Sequence, residues 1–197
     1  MKITANEEGL WFYYQLGRAI TSWAHVEQAL CWVGCCSFSK DDQLQFITTF
    51  FSIENFRSKL QVVDRLVASK FKHHAKTWEP LKTDLERLSK IRNNLAHYPV
   101  MNYGNDLPGQ RIALLPRFGK PSKFKQALPK PPSGSIGLRD IVYAQQRFTA
   151  LMFGLEAFQH TLQGTTSIFP DMATQAGNVP SLVDIARQMR AATAATS

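Results

Sequence analysis

The sequence is poor in cysteine, in charge and in long apolar runs, and each shortage removes a class of protein. Of its 197 residues only three are cysteine, all between Cys31 and Cys36. An odd number of thiols crowded into one segment that reads as helix makes no disulfide framework, and a reducing cytoplasm is the compartment it suits. Cys31 and Cys35 share a helical face but lack a further Cys or His pair to complete the four ligands of structural zinc, so they read as core packing. No apolar run approaches the roughly 18 residues of a membrane span. The N-terminal MKITANEEGLWFYY carries acids where a signal peptide has a basic region. The expectation is a soluble, cytoplasmic protein with no membrane partner. The chain also lacks a P-loop, a dinucleotide-binding glycine fingerprint and a GxSxG elbow, which argues against nucleotide hydrolases and serine esterases. His73 and His74 are adjacent, diverge on a helix and read as a solvated turn; His160 reads as surface. No metal or cofactor is expected.

What is present suffices for one core. Hydrophobic residues make up 44% of the chain and charged ones 19%, which excludes a wholly disordered polypeptide. Twenty-three Lys and Arg against fifteen Asp and Glu leave a net charge of +8, which favours a polyanionic partner such as nucleic acid.

Apolar residues at spacings of three and four predict a long amphipathic helix from about Glu7 to Cys36, with the stripe Leu16, Ile20, Trp23, Val26, Leu30 and Val33. A short helix is expected over Asp42 to Phe50. Another, N-capped by Ser52, carries Phe56, Leu60, Val63 and Val67 to about Lys70. The next starts near Thr77, carries Trp78, Leu81, Leu85, Leu88, Ile91 and Leu95, and must end by Tyr98 because Pro99 follows. The segment YPVMNYGNDLPGQRIALLP has two short runs around turn residues and reads as a hairpin. Leu107 to Arg139 contains no acid, while Arg111, Arg117, Lys120, Lys123, Lys125, Lys130 and Arg139 supply most of the net charge; LPKPPSG within it is an extended spacer. A last long helix spans about Leu138 to Leu162. The expected class is therefore all-α, a four-helix bundle over residues 1–163, with the hairpin and the basic, Pro-rich insertion at 98–135. Residues 164–197 form an appendage with one short helix and a frayed tail.

Two charges interrupt the apolar stripes. At about 100° per residue, Arg92 falls within about 20° of Leu81 and inside the stripe of its helix; Glu27 falls within about 20° of Leu16 in the first helix. Buried charges are rarely alone, so Glu27 and Arg92 are expected to meet, either as a structural salt bridge or at a cleft. His25 lies about 160° around the helix from Glu27 and belongs elsewhere. After Arg92 the chain reads Asn93-Asn94-Leu95-Ala96-His97-Tyr98-Pro99. Asn93 and His97 are four apart, so the amide can orient the imidazole, and His97 sits in the last helical turn, where the macrodipole favours its cationic form.

Arg92 to His97, RNNLAH, is similar to the RNxxxH form of the Rx4-6H motif of the HEPN family (higher eukaryotes and prokaryotes nucleotide-binding domain). The resemblance covers about residues 8 to 163: a helical bundle, the motif at the end of a later helix and an irregular insertion after the His. It implies a bundle that dimerises so that two motifs face one cleft. In many members that is a metal-independent endoribonuclease, often a toxin or antiviral effector, which in a toxin–antitoxin pair has a cognate antitoxin protein. Other members are binding or scaffold modules without cleavage. On this resemblance Arg92, Asn93 and His97 are the catalytic candidates, Glu27 supports Arg92, and Arg111, Arg117, Lys120, Lys123, Lys125 and Lys130 track RNA. The rival expectation is a non-catalytic dimer that binds nucleic acid or protein; a third is a bundle enclosing a small apolar ligand, with Arg92 turned to solvent.

Overall fold

The structure is a computed structural model that describes residues 5–103, 111–116 and 133–164. Over them the protein is all-α apart from one small hairpin. Helix α1 (Ala5–Cys35) leads to the short α2 (Gln43–Ser52) and then α3 (Phe56–Lys70). A single 3-10 turn (Lys72–His74) enters α4 (Ala75–His97), strands β1 (Val100–Tyr103) and β2 (Arg111–Leu114) follow, and α5 (Leu138–Gln163) closes the described chain. Helix α1 lies along α5 in the most extensive contact of the fold; α5 also packs on α4, and α3 on both α1 and α4. Among the described residues no helix is long and apolar enough to cross a membrane.

Trp23 occupies the centre. Its ring meets Phe56 and Phe148 edge-on, with centroids 4.8 Å and 5.1 Å away, and Leu30, Leu85, Leu88 and Leu155 are fully buried in the same core. Each such side chain contributes roughly 1.5–3 kcal/mol through burial. The buried face of α1 is Phe12, Ala19, Trp23, Val26, Leu30 and Val33, and Ile20, expected in the stripe, is 38% exposed. The true face is rotated by about 60° from one centred on Leu16, which moves Glu27 from the middle of the apolar surface to its edge. Cys31 and Cys35 are buried in this core.

Helix ends follow local chemistry. The expected cap, Ser52, instead closes α2, its hydroxyl donating to the Thr49 carbonyl at 2.7 Å. Asn55 caps α3, its extended backbone letting the side-chain oxygen accept from the Arg57 N–H at 2.8 Å. Ile53 is extended and ends α2, so the next N-cap must lie beyond it. Helix α4 stops at His97, and Tyr98, ahead of Pro99, is extended, as the clash with the proline ring requires. Helix α5 ends in Gly164 at φ +67°, a conformation that suits glycine.

The hairpin forms as expected: β1 and β2 are antiparallel, Val100 opposite Leu114 and Tyr103 opposite Arg111. Leu115 N–H donates to Pro99 O at 3.0 Å, and Ile136 bridges to Leu114 on the other side. The strands thus fold back on the end of α4, and their far side reaches α1, where Ile112 lies beside Gly9. Arg117, Lys120, Lys123, Lys125 and Lys130, the Arg111 side chain and the appendage beyond Gly164 lie outside the described residues.

Close approach of α1 and α2 depends on Gly34: a Cβ there would meet the Phe46 ring at 2.5 Å and 2.7 Å. That ring is stacked on Phe38 at 4.8 Å and has little room to retreat. Gly34→Ala is expected to destabilise the protein by about 1–3 kcal/mol despite the better helix propensity of alanine, read as a lower midpoint in thermal or urea unfolding. An unchanged midpoint would mean that α2 does not pack here.

Candidate functional site

Glu27, on the edge of α1, faces both α4 and α3. Its Oε1 accepts from Arg92 Nη2 at 3.1 Å and from the Trp23 indole N–H at 2.7 Å; its Oε2 accepts from Lys59 Nζ at 2.9 Å. The expected meeting of Glu27 and Arg92 is therefore present, but as part of a larger cluster. The side chains are 13% exposed for Glu27, 8% for Lys59 and 32% for Arg92, so the carboxylate and ammonium are enclosed while the guanidinium keeps an open edge. Arg92 is at the rim of the apolar face rather than within it.

The second anchor of Arg92 is Asn93. Arg92 Nη1 donates to Asn93 Oδ1 at 3.1 Å, so this amide holds the guanidinium, where the sequence suggested that it would orient His97. Neighbouring residues on a helix rarely touch, but the long arginine side chain folds back across its own helix once Glu27 has fixed its other nitrogen.

His97 is exposed in the last turn of α4. With Asn93, Asn94, Tyr98 and Pro116 it lines an open cleft of about 430 Å³. The hairpin supplies Pro116, so this cleft exists because β2 returns to the helix end. Arg92 and His97 point about 140° apart around α4, and Asn93 lies between them in angle. Asn93 thereby joins the two halves: it binds the guanidinium and also borders the cleft of the imidazole. The arrangement offers an oriented cation and amide for an anionic ligand, and beside them an imidazole, the side chain suited to proton transfer near neutral pH.

Lys59, Trp23, Asn94, Tyr98 and Pro116 were not singled out in the sequence. Asn94 and Tyr98 share a face by their spacing of four and follow directly from the Asn93 and His97 pair. Trp23 likewise is four residues from Glu27. Lys59 lies about 40° from Val63, at the edge of the stripe of its helix, where a lysine is ordinarily solvated, and Pro116 depends on the hairpin register.

Other chemistry-bearing groups lie apart. Burial pushes the Cys31 thiol up to about 12 and Cys36 up to about 11, and it raises Cys35 as well. Such thiols are poor nucleophiles. Alkylation by iodoacetamide at pH 7.5 is expected to be at least ~100-fold slower in the folded protein than after unfolding in guanidinium, and fast native labelling would overturn this placement. Burial also raises the carboxyl of Glu156, against the opposing pull of His160 and His25. His160 is half-buried, correcting its reading as surface, and lies close enough to Glu156 to act on its carboxyl. His73 is exposed, whereas His74 is half-buried with its ring edge-on to Phe158 at 6.3 Å. Asp64 is partly buried, which alone would raise its carboxyl, but hydrogen bonds from Trp78 and Lys82 bring it below the usual range. Among the described residues no group of three or more His, Cys, Asp or Glu is placed to hold a metal ion.

Comparison with protein-family models, with curated proteins and with solved structures found no match to this chain.

Proposed function

We propose that this protein is a HEPN-like, metal-independent endoribonuclease that cleaves RNA by attack of a 2′-hydroxyl on the adjacent phosphate, a chemistry used by toxins and antiviral effectors. The observation that carries the reading is the linked pair of sites on α4: a guanidinium fixed by Glu27 and Asn93 with an open edge, and the cleft of His97 bordered by the same Asn93. Cleavage without metal requires a base for the 2′-proton, a cation for the charge developing on phosphorus and an acid for the leaving 5′-oxygen. Arg92 serves as the cation, His97 transfers protons, and Asn93 positions the phosphate and Arg92 together. DNA lacks the nucleophile.

One imidazole in the cleft leaves one proton-transfer role open, and a second copy of the chain would fill it. Beside Glu27 on α1 runs a face of Leu10, Tyr13, Gly17, Ile20 and Ala24, exposed and free of charge for four turns. This uncharged face next to the site suits a homodimer in which two clefts adjoin, each in a four-helix bundle formed by the long helices. The basic segment Arg111 to Lys130 would then follow the RNA backbone, and an antitoxin would act by covering the cleft.

The test is incubation of the purified protein with single-stranded RNA in EDTA, alongside Arg92→Ala and His97→Ala, with the mass in solution measured in parallel. Cleavage lost in both variants supports the reading. Cleavage unchanged in both assigns it to a contaminant, and a monomeric mass removes the shared cleft. A binding module without turnover is the second reading. It is favoured by one observation: Asn93 hydrogen-bonds Arg92 rather than the imidazole, so Asn93 does not align His97. It predicts salt-sensitive RNA binding by an uncleaving dimer.

A further inference from the structure

Lys59 lies on α3, far in sequence from the RNNLAH segment, and its burial is unusual for a lysine. The helix start that Asn55 caps fixes its backbone, with Lys59 N–H donating to Asn55 O at 3.1 Å. From there its stem runs inward, the ammonium lies 5.3 Å from the centroids of both Phe50 and Phe51, and it ends on Glu27 Oε2. Glu27 already has a cationic partner in Arg92, so a second cation is not needed to neutralise it. The cluster holds two cations and one carboxylate, a formal excess of one positive charge. Its enclosed members, Glu27 and Lys59, balance each other. The excess therefore falls on the guanidinium of Arg92, the part of the cluster open to solvent, and an anion is the partner suited to that edge.

We infer that Lys59 is a positioning residue for anion binding: by occupying Oε2 it holds the Glu27 carboxylate in place and shares its negative charge, leaving Arg92 with an unneutralised cationic edge for an RNA phosphate. Without Lys59, Glu27 and Arg92 form a neutral closed pair, and the guanidinium has less attraction for phosphate. The inference rests on the proposed role of Arg92, and it adds a residue from a third helix that touches no ligand itself.

The probe is a 2′-O-methyl oligoribonucleotide, which binds without being cleaved, titrated against the full chain at several salt concentrations, with thermal melts as the control for folding. Arg92→Ala is expected to weaken binding and to flatten the dependence of log K on log salt by about 0.7, one phosphate contact on a single strand. Lys59→Met is expected to weaken binding about 5- to 20-fold with the salt slope unchanged, since Lys59 makes no phosphate contact, and Lys59→Arg is expected to restore it. Should Lys59→Met fail to fold, Lys59→Gln keeps a donor to Oε2 while removing the charge, and the same loss is expected. If Arg92→Ala weakens binding but the folded, uncharged Lys59 variant binds like wild type, or if Lys59→Arg fails to restore binding, Lys59 is structural and the inference is overturned. If Arg92→Ala leaves binding and slope unchanged, the reading of Arg92 fails instead, whatever Lys59 does.

Discussion

Arg92→Ala and His97→Ala are each expected to lower the rate of RNA cleavage in EDTA by about 10²- to 10⁴-fold, because one removes electrostatic stabilisation of the phosphorane and the other a proton-transfer group. Both should remain folded. His97 is exposed, and Arg92 is a third exposed, so neither contributes much to the core. Loss of Arg92 also leaves Glu27 with two donors, Trp23 and Lys59, and no enclosed carboxylate is stranded. The pair separates two mechanisms. If the two residues act on the same phosphate, the double variant should be little slower than either single one, since groups that act together lose their effect together. A product ending in 2′,3′-cyclic phosphate and complete resistance of 2′-O-methyl RNA are the chemical signatures of 2′-hydroxyl attack. Products with a 3′-hydroxyl from the wild type would sink that mechanism.

The legibility of this site in the sequence was uneven, for physical reasons. The end of α4 could be placed to the residue because Pro99 acts locally on Tyr98. The meeting of Glu27 and Arg92, 65 residues apart, was legible because each charge breaks an apolar stripe and an enclosed charge requires a partner. The stripe arithmetic was nevertheless centred wrongly on α1. Leu16 and Ile20 look like the centre of the core in a one-dimensional pattern, yet Phe12, Ala19, Trp23 and Val26 are the buried positions there, Leu16 is only partly buried, and Ile20 is left facing outward. Which part of a broad apolar arc is covered depends on the neighbours, and neighbours are not local information. The same limit hid Lys59. A lysine beside a stripe is ordinarily solvated, and this one instead has its ammonium over the rings of Phe50 and Phe51, at the end of α2, and against Glu27. Asn93 shows the converse: it stands one turn before His97, but the contact it makes is with Arg92, because Glu27 holds the guanidinium within its reach.

The largest effect on stability is expected from Glu27→Ala, at about 3–5 kcal/mol. The carboxylate is the shared acceptor for three donors from three positions of the fold, so its loss orphans all of them at once. They are not equal. Arg92 can turn its guanidinium to water from a side chain already 32% exposed, so it contributes little of the cost. The Trp23 indole N–H, which meets Glu27 at the edge of the core, loses a hydrogen bond worth about 1–3 kcal/mol when an enclosed donor is left unpaired. The Lys59 ammonium is the main term, since only the faces of Phe50 and Phe51 remain to compensate it, and cation–π contacts supply about 1–2 kcal/mol. For a chain of this size the total corresponds to a fall in melting temperature of about 6–20 °C. Glu27→Gln should cost less, because the amide oxygen still accepts from one of the buried donors. The decisive comparison is the double variant Glu27→Ala with Lys59→Met. Removing the stranded cation should recover part of the loss, making the double variant more stable than Glu27→Ala alone, an interaction energy of about 1–3 kcal/mol between residues on α1 and α3. Additive losses would mean that Lys59 gains nothing from Glu27, and the balance of charge around Arg92 would have to be set by other groups.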